Sequence, residues 1–390
     1  MSRPSFVHFA RPSIGEEEVN AVVEVMRSGW LTTGPRTAQF EEEFGRFIGA
    51  RNALAVSSAT AGLHLALEAV GVQRGDTVIT TPYTFTATAE VVAYLGADVV
   101  FTDIDPSTLN IDVHEVAKVL RTGRPIRAVV PVHFGGQSCE MSEIMELKAR
   151  HGFAVVEDAA HALPATHRGS MIGTIGDVTA FSFYVTKTIA TGEGGMVTTD
   201  NDDLARRMRV MRLHGIDRDV FQRYTAEKAK WYYEVVAPGY KYNMTDIAAA
   251  IGVEQLRKVE QFEQKRARIA QRYSQAFKGL PLSRPTVSRP DDRHAWHLYV
   301  IRLQLERLSI SRDRFIELLA ENGIGASVHF IPLHLQPYWR DKYALSPASF
   351  PAATDAYQRA VSLPIYPAMD DESIERVIDV VTRILTQYSK

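Results

Sequence analysis

The sequence predicts an α/β protein: a large, mostly parallel sheet domain over residues 1–255, with an N-terminal arm, and a smaller α+β C-terminal domain over residues 256–390. Three observations carry that expectation. Short apolar runs alternate with amphipathic helical stretches from residue 53 to residue 199, the pattern of a parallel sheet covered on both faces. Beyond residue 290 the βα alternation gives way to alternating strands and single capped helices. Between them lies the stretch 155–198, VVEDAAHALPATHRGSMIGTIGDVTAFSFYVTKTIATGEGGMVT. It sets an acid after one strand, a serine on a second and a lysine among small polar residues, then closes with a glycine-rich turn.

Residues 1–14 read as an extended arm, with Pro4 and Pro12 restricting the backbone. Val19, Val22, Val23 and Met26 fall at helical spacing and predict a helix over 16–26, stopped by Ser28 and Gly29. The loop GWLTTGP follows, with Trp30 a candidate substrate wall, although a plain connection accounts for the same residues. Phe40, Phe44, Phe47 and Ile48 share one face of a second helix. A strand over 53–57 then runs through SSAT into the helical AGLHLALEAVG. The first turn of such a helix leaves free N–H groups pointing outward, so Ser58, Ala59 and Thr60 are candidates for gripping a phosphate, although simple capping accounts for the same residues.

The alternation continues with a strand over 77–80, a helix over 84–95 and a strand over 98–101. Phe85 falls just past a strand end, where a flat ring is a candidate to cover a planar ligand, although ordinary core packing accounts for it equally. Strands over 127–132 and 153–157 flank a helix over 142–150. Asp158 follows FAVVE and so sits at the carboxyl end of a buried strand, where α/β sheets open their crevices. Past the glycine turn come a strand over 196–199 and a basic helix over 203–214 capped by Asp200. Residues 215–242 lack periodicity. Thr245 caps a helix built of small residues, and a long charged helix leads away from about Leu256. The last third predicts an antiparallel strand in HAWHLYVIRL, a capped helix over 311–321, a strand in ASVHF and a final helix over 370–385.

Lysine and arginine number 44 against 46 acids, a formal charge of -2, so no global basic field exists to recruit nucleic acid. The lone Cys139 can form neither an internal disulfide nor a cysteine metal cluster, which points to a reducing cytoplasm. The start lacks a signal-peptide core, and no apolar run is long enough to span a membrane.

The constellation in 155–198 matches what pyridoxal phosphate demands. The cofactor needs an amine to hold its aldehyde, and burial favours the neutral form of that amine. It needs a carboxylate to keep its ring nitrogen protonated, so that the ring can accept electrons. Lys187 and Asp158 are the candidates, with Ser182 as a hydroxyl for the phosphate.

From SGWLTTGP through SSATAG, EDAAHA, SFYVTKTIATGEGG, APGYKYNMTD and HAWHLYV to VHF at 328–330, the chain resembles the DegT/DnrJ/EryC1/StrS sugar aminotransferases, pyridoxal phosphate enzymes of fold type I. The SATAG, EDAAHA and YKYN forms look most like the branch that makes UDP-4-amino-4-deoxy-L-arabinose for lipid A modification. The resemblance implies that Lys187 carries the cofactor, Asp158 faces its ring nitrogen and Ser182, Ala59 and Thr60 bind its phosphate. Phe85 would cover the ring where many relatives have Trp, and His161 would lie beside the cofactor at a position often Gln. Asn243 would reach the phosphate from the neighbouring subunit of a homodimer. Trp30, Thr32 and His329 match regions on the sugar side of the pocket. For the diphosphate, residues 212–241 supply Arg212, Arg218, Arg223, Lys228, Lys230 and Lys241 beside Trp231, Tyr232 and Tyr233, although a charged surface loop accounts for the same residues equally.

The implied reaction moves an amino group from L-glutamate to the C4 keto carbon of a nucleotide-linked keto sugar, UDP-linked by the likeness. Amination at C3 and, more remotely, a non-catalytic pyridoxal phosphate-binding regulator of the same fold remain alternatives. Some relatives carry His in place of the lysine and dehydrate their sugars; Lys187 argues against that chemistry here.

Overall fold

The computed structural model describes residues 6–217 and 232–390. Its centre is a seven-stranded sheet of β1 (Asn52–Val56), β2 (Thr77–Thr80), β3 (Asp98–Phe101), β4 (Ala128–Val130), β5 (Ala154–Asp158), β8 (Val178–Ser182) and β9 (Gly195–Thr199), with β6 (Thr166–His167) and β7 (Ser170–Met171) forming a small separate hairpin. The order is β1-β9-β8-β5-β4-β2-β3. Every pairing from β8 to β3 is parallel, and β9 alone runs against both its neighbours.

Side chains on a strand alternate between faces, and the core divides accordingly. Leu54, Val56, Val156, Val178 and Val197 enter a cluster on one face, with α3 (Ala59–Ala69), α4 (Ala87–Tyr94) and α7 (Asp202–Met211). Ala53, Ala55, Val155, Phe181 and Met196 enter a second cluster on the other, against Phe40 and Phe44 of α2 (Pro35–Ile48), Ile144 of α6 (Met141–His151) and Val253 of α8 (Asp246–Arg257). A third cluster surrounds the antiparallel sheet β10 (Leu282–Ser283), β11 (Tyr299–Leu303) and β12 (Ala360–Leu363), with α9 (Val259–Ala276), α10 (Arg312–Glu321) and α11 (Asp371–Gln387). Val7 of the arm joins that third cluster, whereas Leu333, Trp339 and Phe350 pack into the first. No helix among the described residues is long and apolar enough to cross a membrane.

Several local expectations need correction. The cap of α7 is Asn201, whose Oδ1 accepts the amides of Asp203 and Leu204, because Asp200 is drawn away to the Arg51 amide at 2.7 Å. The helix expected from residue 84 begins at Ala87, since Thr84 and Phe85 bend toward the sheet's carboxyl edge. The charged helix begins only at Val259, after a break at Lys258, which is tied to Glu17 and Glu18 of α1 (Glu16–Ser28). A helix α5 (Val113–Arg121), capped by Asp112, went unanticipated. The first half of HAWHLYVIRL is not strand: Trp296 has a φ of 46°, and the amides of Ala295 and Leu298 bond to Gly136 and Gly135. Gly136 must lack a side chain there, because a Cβ would stand 2.9 Å from the Trp296 nitrogen. ASVHF is not strand either. Its backbone pairs with β12 only between Ser327 and Ser362, then turns inward so that His329 and Phe330 line the cavity described next.

Candidate active site

The carboxyl ends of β1, β2, β5 and β8 converge, and a cavity of about 480 Å³ opens above them. Residues 58–60, Phe85, Asp158, His161, Ser182, Lys187 and His329 all line it. The register explains the convergence. Gly195 of β9 pairs with Val56 on one side and with Ser182 on the other, bringing the start of α3 and the Ser182 hydroxyl to one level. A Cβ on Gly195 would stand 2.7 Å from the carbonyl carbon of Ser58 and 2.8 Å from the Ala59 nitrogen. Ser58 caps α3 by accepting the Ala61 amide, which leaves the earlier amides of the turn for an anion.

Asp158 is 6% exposed and held by two donors. Thr88 Oγ1 donates to Oδ2 at 2.7 Å and the Ala160 amide to Oδ1 at 3.1 Å. Lys187 opens part of its surface to the cavity, and burial brings its amine down to about 8 while the Asp158 charge partly opposes that shift. At pH 7 such an amine is neutral in roughly one molecule in ten, against fewer than one in a thousand for an ordinary lysine.

Histidines surround this pair without adding charge. Burial and the Lys187 ammonium push His161 well below its ordinary value, and His329 down to about 4. His161 accepts the Gly135 amide at Nδ1 (3.3 Å), which fixes its proton on Nε2. His297 lies with its ring 4.3 Å from that of His161 and tilted by 40°, and its buried Nδ1 has no protein partner. His161 also stacks on Phe330, and Phe85, 59% exposed at the rim, meets Phe330 at 6.1 Å.

The residues therefore fit pyridoxal phosphate. A carboxylate fixed by two donors, a lysine of lowered basicity, an uncrowded helix start and a serine hydroxyl share one cavity. Thr88 and His297 were missed from sequence: one lies inside a helical pattern, the other in a stretch that reads as strand.

Four expected site residues lie elsewhere in the same chain. Trp30 Nε1 donates to the Thr33 carbonyl, the Thr32 carbonyl accepts the Asp246 amide, and Asn243 Nδ2 donates to Thr33 Oγ1 at 2.6 Å. Lys241 Nζ donates to Asn243 Oδ1 at 2.6 Å. This second set does not line the Lys187 cavity of its own chain. Arg212 is excluded as a diphosphate ligand, because it is 7% exposed, paired with Glu41 and bonded to the Ala55 carbonyl. Arg218, Arg223, Lys228, Lys230 and Trp231 lie outside the described residues.

Comparison with known proteins agrees with this geometry. Residues 12–382 match the DegT/DnrJ/EryC1/StrS aminotransferase family. The chain is similar to the spore coat polysaccharide biosynthesis protein SpsC of Bacillus subtilis, with 48% identity over 98% of both chains. Among solved structures it is similar to the putative sugar aminotransferase Spr1654 of Streptococcus pneumoniae in its PMP form, with a TM-score of 0.90 and 29% identity over 98% of this chain and 99% of that one. The PLP form of the same protein has a TM-score of 0.89. Helicobacter pylori PseC, an aminotransferase involved in the biosynthesis of pseudoaminic acid, has a TM-score of 0.89 and 29% identity over 99% of this chain and 100% of its own.

Proposed function

The chain belongs to the DegT/DnrJ/EryC1/StrS aminotransferase family, with pyridoxal phosphate as its cofactor, and from that premise we propose that it moves the amino group of L-glutamate to the C4 keto carbon of a UDP-linked keto sugar. The products are an amino sugar nucleotide and 2-oxoglutarate. The observation that carries this reading is one cavity lined by both the low-basicity Lys187 and the anchored Asp158.

When bound, pyridoxal phosphate supplies a carbonyl to take up the donor nitrogen and a ring to accept the electrons of the broken Cα–H bond. The chain's own groups do the rest. Lys187 Nζ takes the Cα proton in its neutral form, and burial raises the share of that form. Asp158 would hold the ring-nitrogen proton, and Thr88 and Ala160 keep its carboxylate oriented. The amides of Ala59 and Thr60 and the Ser182 hydroxyl would receive the phosphate. His161 offers Nε2–H as a neutral donor at the cavity wall.

The UDP and C4 assignments are supported by the SATAG, EDAAHA and YKYN forms. The likeness to a spore coat polysaccharide biosynthesis protein supports a product destined for a surface polysaccharide. A homodimer is supported by the second set of site residues, since Lys241 bonds to Asn243, Asn243 and Trp30 both bond to Thr33 next to Thr32, and none of the four lines its own chain's cavity. In this reading they complete the partner's cavity. The buried free Cys139 suits a reducing, cytoplasmic compartment.

The test is a panel of UDP-, dTDP- and GDP-linked 3-keto and 4-keto sugars with L-glutamate, scored for amino sugar formation. Turnover of the UDP-linked 4-keto sugars is expected. Exclusive turnover of 3-keto sugars would move the amination to C3, and turnover of none removes the substrate class. Mixing Lys187→Ala with Asn243→Ala subunits tests the shared site: partial recovery of activity from two inactive variants is the expected result.

A further inference from the structure

The N-terminal arm reaches His329, a wall residue of the cavity. Val7 lies beside the strand-like segment at Ile324, its amide donating to the Gly323 carbonyl (2.9 Å) and its carbonyl accepting the Gly325 amide (2.8 Å). Gly325 permits that approach, because a Cβ there would stand 2.8 Å from the Phe9 nitrogen and 3.1 Å from the Val7 oxygen. Two residues beyond Val7, the Phe9 ring stacks on the imidazole of His329 at 5.4 Å with an interplanar angle of 27°. The far end of the arm is tied down as well. Gln255 Nε2 donates to the Ser13 carbonyl (2.8 Å), while its Oε1 accepts the amide of Ala190, three residues past Lys187.

His329 is thereby held from several sides. Its Nδ1 lies 2.9 Å from Ser362 Oγ on β12, Phe330 meets it edge-on at 5.0 Å, and Phe9 covers one face. The bond at Nδ1 leaves Nε2 as the nitrogen available to a ligand in the cavity. The titratable groups that share the cavity with it are Lys187, His161, His297, Asp158, Tyr184 and Glu193.

We propose that Phe9 is a positioning residue of the active site, and that the arm sets the affinity for the sugar nucleotide by fixing the His329 ring through this stack. The inference rests on the cavity being a sugar-nucleotide site. Stacked rings contribute enough to make the expected effect about tenfold. Phe9→Ala raises the KM for the sugar nucleotide by about that factor, with kcat and the reaction with glutamate within about twofold of the parent. Phe9→Tyr restores the parent KM. Gly325→Ala, which displaces the arm without touching the ring, repeats the Phe9→Ala phenotype.

A second readout needs no turnover. In holoenzyme carrying ¹³C-labelled histidine, with the His329 resonance identified by its loss in His329→Asn, burial holds the His329 midpoint below the ordinary histidine range and it moves toward that range when Phe9→Ala admits water. An unchanged KM in both arm variants together with an unmoved His329 midpoint overturns the inference, while wild-type turnover leaves the sugar aminotransferase reading intact. A parallel fall in kcat, in the glutamate reaction and in thermal stability overturns it too, since that pattern marks a general folding role. If no sugar nucleotide is turned over, the reading of the substrate falls, but the histidine titration still decides whether Phe9 holds His329.

Discussion

Thr88 Oγ1 lies 2.7 Å from Asp158 Oδ2, a hydroxyl on α4 donating to the carboxylate at the end of β5. An ionised carboxylate only accepts, so the Thr88 proton must point to it, and the neighbouring Thr84 hydroxyl at 2.8 Å must then donate to Thr88. The two threonines form a directed chain that fixes the carboxylate from behind the cavity. Hydrogen bonds to charged groups contribute about 1.5–3 kcal/mol. Thr88→Val is therefore expected to lower kcat by about tenfold to a hundredfold with the cofactor still bound, and Thr88→Ser to retain most activity. Single-turnover rates with glutamate check this, and a Thr88→Val enzyme as fast as the parent removes Thr88 from the mechanism.

Lys187 has a stability signature that does not require catalysis. Its amine lies near 8 in the folded chain against an ordinary 10.5. Between those values the unfolded chain binds a proton that the folded chain does not, so stability rises with pH across that window. Below pH 8 both forms are protonated and the full penalty of burying the ammonium is present. Cofactor-free protein should gain up to about 3 kcal/mol between pH 8 and 10.5 relative to Lys187→Met, which lacks the group. Urea denaturation of both proteins at the two ends of the window measures the difference. Identical pH profiles would mean that Lys187 is hydrated like a surface lysine.

Arg212 and Glu41 clasp the outer edge of the sheet. Glu41 Oε1 accepts the Ala55 amide at 2.8 Å and Arg212 Nη1 donates to the Ala55 carbonyl at 2.9 Å, replacing the strand that β1 lacks on that side. The two side chains also pair with each other. Breaking one member of such a buried pair leaves the other uncompensated, so Arg212→Met should destabilise the protein by about 3 kcal/mol. The KM for the sugar substrate should not change. A large rise in KM without loss of stability would return Arg212 to the substrate site.

Strand alternation and strand-end placement made Asp158, Ser182 and Lys187 legible, because a period of two and a glycine-rich turn leave few other places for them. Thr88 was not legible: TATAEVV reads as an ordinary helix, and nothing local marks the face that meets β5. The pairing of Arg212 with Glu41 joins residues 171 apart in the chain, and a cation-rich stretch reads as a ligand site until its partner is seen. His297 was hidden by alternation that mimics a strand, where the backbone instead bonds to Gly135 and Gly136. By contrast α5 was readable, with Val113, Val116 and Leu120 on one face and Asp112 as its cap. The weakest sequence signals were therefore those that depend on contacts between distant segments.

Gly195 tests the phosphate cradle directly. It lies in β9 between Val56 and Ser182, and its conformation is ordinary, so the demand for glycine is steric rather than conformational. A methyl group would meet the backbone at Ser58 and Ala59, at 2.7 and 2.8 Å, and also the Phe181 carbonyl at 2.8 Å. None of these is a flexible side-chain end that can swing away. The strain must be relieved by moving the start of α3 or by parting β8 from β9, and either motion separates the amides of Ala59 and Thr60 from the Ser182 hydroxyl. Overpacking of this kind costs about 1–3 kcal/mol. Gly195→Ala should therefore weaken cofactor binding by about tenfold or more, measured by titrating cofactor-free enzyme with pyridoxal phosphate. Circular dichroism should stay close to the parent. Parent-like cofactor affinity in a folded Gly195→Ala protein would show that the phosphate does not depend on this helix start, and the assignment of Ala59 and Thr60 would fall with it.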